Sequence, residues 1–186
     1  MKTTAPTLSP ARDAAVAADA VDGIHGVTEP SPMQLRSALA GFPTGIAVVT
    51  ARVDGRAVGM SVNSFSSVSL EPPLVSLAFA RTSTTWPLLQ RAPRWGISLL
   101  SEESAHLMSR LARPSAERFA EVPLTDLHGA VVLEKALATF AVEPEREIDA
   151  GDHVLTLLRV LALRRDPDQH PLVFFGSTLR RLHRDV

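Results

Sequence analysis

Cysteine is missing from all 186 residues, which excludes a disulfide framework, a zinc–thiolate site and a thiol nucleophile. Stability must come from packing. A surplus of one charge is missing too. The 19 Lys and Arg stand against 20 Asp and Glu, a formal net charge of -1, which gives no reason to expect a nucleic-acid partner. Arg164, Arg165, Arg180, Arg181 and Arg184, with His183, interrupt or follow apolar runs and read as solvated rims. Residues Met1 to Pro30 hold no apolar core of a secretory signal, and no stretch is apolar for long enough to span a bilayer. No membrane association and a cytoplasmic location are the expectations.

Several catalytic signatures are also absent. There is no Gly-x-Gly-x-x-Gly and no Walker lysine loop, so neither a Rossmann dinucleotide site nor a P-loop is offered. Gly59-Met60-Ser61-Val62-Asn63 lacks the second glycine of a hydrolase nucleophile elbow. The six histidines, His25, His106, His128, His153, His170 and His183, form no short-range pair with ligand spacing, which argues against a metal centre.

What is present suits a soluble globular chain, with 45% hydrophobic and 21% charged residues. Residues 1–30, rich in Ala, Asp, Thr and Pro, read as a flexible tail with a short helix around Asp13 to Ala20; residues 31–186 read as one folded domain. Ser31-Pro32-Met33-Gln34 is a helix start, with Ser at the N-cap, Pro at the first helical position and Gln at the capping-box position. Strands follow at Gly45 to Arg52, at Val58 to Val62 across an Asp54-Gly55 turn, and at Leu74 to Ala80. Thr84 to Gln90 reads as helix, Trp95 to Leu100 as strand, and Ser101 as the cap of a helix carrying His106, Leu107 and Leu111. The passage from Pro114 to about Lys135 shows no period. Ala136 to Glu143, His153 to Leu163 and Pro171 to Phe175 complete six or so strands. Hairpin links and only short helices predict a mainly β, antiparallel, closed or partly closed barrel.

Three polar constellations stand out. Ser61-Val62-Asn63-Ser64 with Ser67-Val68-Ser69 is either a strand edge running into a polar loop or an uncharged row of donors and acceptors for the edge of a heterocycle. Ala80-Arg81-Thr82-Ser83-Thr84-Thr85 is either a Ser/Thr cap beside a surface arginine or an anion site for a terminal phosphate. Gly151-Asp152-His153 is either a tight turn at a strand end or a device that faces a histidine into a cleft.

Taken in order, these pieces resemble the short-chain flavin reductase family, the reductase components of two-component flavin-dependent monooxygenases. The resemblance runs from about Leu35 to Leu182 and rests on Phe42 to Thr50, Gly59 to Val75, Glu117-Arg118-Phe119, Gly151-Asp152-His153 and Pro171 to Phe175. It implies an FMN-binding split β-barrel of Greek-key type, a homodimer, and transfer of hydride from NADH or NADPH to FMN or FAD for a partner monooxygenase served by diffusible reduced flavin. It assigns Ser61, Val62, Asn63 and Ser64 to the isoalloxazine and ribityl portion and Ser67 and Ser69 to the ribityl-phosphate end. Ala80, Arg81, Thr82, Ser83 and Thr84 fall to the phosphate, and His153 to the nicotinamide pocket. Leu158, where the family often has glycine, and Thr178-Leu179, where an aromatic is usual, depart from the pattern on the side thought to admit NAD(P)H. They keep open a flavin enzyme acting on a small organic substrate, or a non-catalytic flavin-binding protein.

Overall fold

The structure is a computed structural model and describes residues 26–182; the expected helix at Asp13 to Ala20, most of the expected tail, and His183 and Arg184 lie outside the described residues. The chain divides after Leu39. In the first unit, the helix α1 (Pro32–Ala40, reaching one residue past that boundary) starts as its sequence dictates. The Ser31 N–H donates to Gln34 Oε1 at 3.0 Å, and the Gln34 N–H donates back to Ser31 Oγ at 3.3 Å.

The second unit, from Ala40 on, is built of antiparallel strands. In chain order these are β1 (Thr44–Gly45), β2 (Ala47–Val53), β3 (Arg56–Val62), β4 (Ser66–Leu70), β5 (Pro73–Ala80), β6 (Trp95–Leu99), β7 (Leu124–Leu127), β8 (Ala130–Leu133), β9 (Ala138–Ala150), β10 (His153–Arg165), β11 (Leu172–Phe175) and β12 (Thr178–Arg181). Seven form one sheet in the order β3-β2-β6-β9-β10-β5-β4; β1-β11-β12 and β7-β8 form two smaller ones. Residues from both ends of the large sheet share one core: Met60 and Val62 of β3 pack against the cluster holding Val75, Leu77 and Phe79 of β5. The sheet therefore curls on itself. On the other face of β2, Ile46 and Val48 join Leu107, Leu111, Phe119 and Leu133. Burial on both faces explains why β2 is apolar at nearly every position.

Four expectations needed correction. The passage from Pro114 to Lys135 is not irregular throughout but contains the β7–β8 hairpin, whose turn places His128 and Gly129 at φ of 50° and 78°. The strand expected at Ala136 to Glu143 continues to Ala150, so β9 and β10 form a long two-stranded ribbon. The helix expected at Thr84 to Gln90 is a single turn, α2 (Trp86–Leu89), and the one after Ser101 is a 3-10 segment, Glu102–Leu107, leading into α3 (Met108–Leu111). Gly96 is fixed by close approach. A Cβ there would lie 1.8 Å from the Val131 carbonyl oxygen, where β8 crosses β6. Among the described residues no helix is long and apolar enough to cross a membrane.

Candidate functional site

β3 is an edge strand, paired with β2 in unbroken register from Val53–Arg56 to Ala47–Val62. In such a pair, successive residues turn their backbone groups alternately toward and away from the partner. The Gly59 carbonyl faces away, since it accepts from Arg118 Nη1 at 3.0 Å. Two residues on, the N–H and C=O of Ser61 point to the same free edge. Ser61, Val62 and the exposed Asn63 line a hollow of about 260 Å³ whose remaining walls are Ile46, Met108 and Phe174. An apolar floor beside uncharged donors and acceptors matches the chemistry of a planar heterocycle with ring nitrogens and carbonyls. The residues present fit a flavin ring.

Ser64 does something else. Its hydroxyl accepts from the Ala78 N–H at 3.0 Å and donates to the Ala78 carbonyl at 3.2 Å, so it acts as a splice between the loop and β5. Its hydroxyl is committed to β5. Ser67 and Ser69 lie on β4, the other edge of the large sheet, on either side of a bulge. The stretch expected to be a polar loop is in that part a strand.

The second and third constellations meet. Arg81 follows the last residue of β5, and its backbone N–H donates to the Asp152 carbonyl at 2.9 Å. Its Nε donates to the Gly151 carbonyl at 3.1 Å, and its Nη2 pairs with the Asp149 carboxylate. His153 opens β10 opposite Ala80, with its Nδ1 2.7 Å from Asp152 Oδ1, which leaves Nε2 as the ring's outward nitrogen. The hydrogen bond from the ring, then its charge, hold the Asp152 carboxyl below the usual carboxylate range. Arg81 and His153 thus sit on one platform where β5 meets the β9–β10 turn. Met60, the residue before Ser61, turns its side chain into the core, where its sulfur lies 3.7 Å from Ser83 Oγ.

Two of the N–H groups at the start of α2 are already bonded. Ser83 Oγ accepts from the N–H groups of Thr85 at 3.3 Å and Trp86 at 3.1 Å, so the serine caps the one-turn α2 itself. Thr82 and Thr84 are exposed.

The sequence assigned no role to Arg118. Its guanidinium donates to Gly59 O and to the buried Thr85 Oγ1, each at 3.0 Å, and its Nε donates to Arg113 O at 2.8 Å. One side chain thereby joins the β3 edge to α2. Its partners are 59 and 33 residues away, and no spacing rule reaches that far. The signal in the sequence was the Glu117-Arg118-Phe119 motif of the resemblance, which carried no role for the arginine. Among the described residues no group of three or more His, Asp or Glu is placed to hold a metal ion.

The model of the "flavin reductase like domain" matches residues 39–183. The reductase subunit of a flavin-dependent monooxygenase from Rhodococcus jostii is 32% identical over 88% of this chain and 80% of its own length. An NADH-dependent FMN reductase from Agrobacterium fabrum is 38% identical over 80% of this chain and 85% of its own. Among solved structures, the NADH:FAD oxidoreductase of Streptomyces globisporus in complex with NAD and FAD fragments superposes with a TM-score of 0.80. It is 30% identical, covering 87% of this chain and 99% of that one.

Proposed function

The chain belongs to the flavin reductase-like family and has its FMN-binding split-barrel fold, and from that premise we propose how it works as an NAD(P)H-dependent flavin reductase supplying a monooxygenase. The flavin ring supplies the hydride-accepting chemistry and the nicotinamide the hydride, so the protein has to align two rings and needs no strong acid or base. The backbone edge of Ser61 and the amide of Asn63 hold the rim of the flavin ring. Ile46, Met108 and Phe174 give it an apolar bed and keep water from that side. Arg81 receives the phosphate. His153, its ring oriented by Asp152, presents Nε2 toward the nicotinamide.

The observation that carries this reading is the free β3 edge at Ser61 beside an apolar hollow. FMN and FAD share the ring that this edge recognises, and NADH and NADPH share the nicotinamide, so the site accommodates either member of each pair. Val68 and Leu70 of β4, the latter 92% exposed, support a homodimer that covers them. The enzyme works in the cytoplasm and passes reduced flavin to its partner by diffusion. Leu158 does not impair the nicotinamide side. It is fully buried in the core, opposite Val75, and lies five residues along β10 from His153, about 16 Å at the rise of a strand.

The test is anaerobic titration of the protein with NADH and NADPH in the presence of FMN or FAD. Nicotinamide oxidation that requires flavin, with bleaching of the flavin, is expected, and its absence for every pair sinks the proposal. Asn63→Ala is expected to raise the flavin KM. His153→Ala is expected to slow nicotinamide oxidation while the flavin Kd measured by fluorescence stays put.

A further inference from the structure

Arg81 is not an open cation. Three contacts tie it to the β9–β10 turn: its N–H to Asp152 O, its Nε to Gly151 O, and its Nη2 to the carboxylate of Asp149. The other carboxylate of the turn, Asp152, is 93% exposed and pairs with His153, so Asp149 alone holds the guanidinium. A phosphate that approaches Arg81 finds its place taken by a carboxylate.

The pair is also easy to displace. The side chains of Arg81 and Asp149 are 46% and 89% exposed, and an ion pair in such contact with water shifts an equilibrium by about five-fold at most. That is too little to shut a dianion out, and enough to weaken its hold. Backbone bonds from Arg81 to the turn remain when the carboxylate swings away, so the guanidinium stays in place for a new partner.

We propose that Asp149 is an affinity-limiting residue of the flavin site: it competes with the flavin's phosphate for Arg81 and so keeps flavin an exchangeable substrate instead of a retained group. This rests on the reading of Arg81 as the phosphate contact. The chemistry favours such a device, because an enzyme that hands over reduced flavin must release it in every cycle. Nothing in the Ser61 to Asn63 edge discriminates a flavin that stays from one that leaves, since the ring is the same. The phosphate end is where the two differ in energy.

The experiment compares FMN with riboflavin, which has the same ring and no phosphate. Dissociation constants are measured by flavin fluorescence for the wild type, Asp149→Asn, Arg81→Ala and the double variant, each checked for folding by its thermal midpoint. Asp149→Asn is expected to tighten FMN by up to about five-fold and to leave riboflavin unchanged. Arg81→Ala is expected to weaken FMN alone, and in that background Asp149→Asn is expected to do nothing. If Arg81→Ala weakens FMN but Asp149→Asn leaves it unchanged, or tightens riboflavin equally, the competition is refuted and Arg81 keeps its role. If Arg81→Ala affects neither ligand, the phosphate reading itself falls, and the role of Asp149 with it.

Discussion

The β9–β10 ribbon is two structures in one. At its root, β9 lies between β10 and β6, in register from Leu99–Ala138 to Trp95–Val142, and Thr139, Ala141 and Val142 are buried. Past Val142 the neighbour on the β6 side ends, and every residue from Pro144 to Ala150 is exposed. β10 keeps β5 beside it as far as His153 and buries Val154, Thr156 and Leu158 there, so at the tip it is β9 and the turn that face water. The same hydrogen-bonded ladder runs through both halves. The difference is what lies on either side of it: the root packs, and the tip presents Asp149, Asp152 and His153. Stability and ligand chemistry are separated along β9.

The hardest blow to the root is Gly96→Ala. Its Cβ would stand 1.8 Å from the Val131 carbonyl oxygen and 2.7 Å from the Val131 carbonyl carbon, both backbone atoms, so β8 must move off β6. A loss of about 4 kcal/mol or more, seen as insoluble protein or a collapsed urea midpoint, is expected. Preserved stability would mean that the root tolerates displacement as the tip does, and the division would dissolve.

Next is Leu158→Ala, in the buried middle of the ribbon. Removing a fully enclosed leucine side chain costs about 2–5 kcal/mol. The flavin and nicotinamide affinities of the surviving folded protein should not change, which equilibrium binding below the new thermal midpoint measures. A shift in nicotinamide KM larger than the shift in stability would place Leu158 in the site after all and restore the weight given to its departure from the family pattern.

This separation also explains what could be read in the sequence. β2 announced itself because both of its faces are buried, and the Asp54-Gly55 turn because both residues adopt positive φ, 50° and 76°, as its chemistry demands. The tip half of β9 hid, since Pro144-Glu145-Arg146-Glu147 is charged and exposed, and neither period nor apolarity marks a strand that nothing covers. The β7–β8 hairpin has the same turn geometry, yet His128-Gly129 is a weaker turn signal than Asp-Gly, and Ala130 to Leu133 is apolar throughout without alternating. Within the site, the sequence supplied the residue types. It could not say that the Ser64 hydroxyl is spent on Ala78 or that Asp149 holds Arg81, because each depends on a partner brought near by the sheet.

The smallest expected effect belongs to the tip, and its sign is fixed. The folded Asp152 carboxyl titrates below its ordinary value, by its hydrogen bond to His153 and then by the charge of the ring. A group depressed on folding adds stability above its unfolded pKa and loses that contribution as pH falls through the folded value. The difference in thermal midpoint between the wild type and Asp152→Asn should therefore be present near pH 6, start to fall near the ordinary carboxylate pKa of about 4, and vanish only below the folded value. It should also shrink in high salt, because Asp152 is open to water. A large difference that persists in acid and in salt would show that this turn is packed rather than solvated. The tip would then behave as the root does, and His153 would be held by burial instead of by one exposed carboxylate.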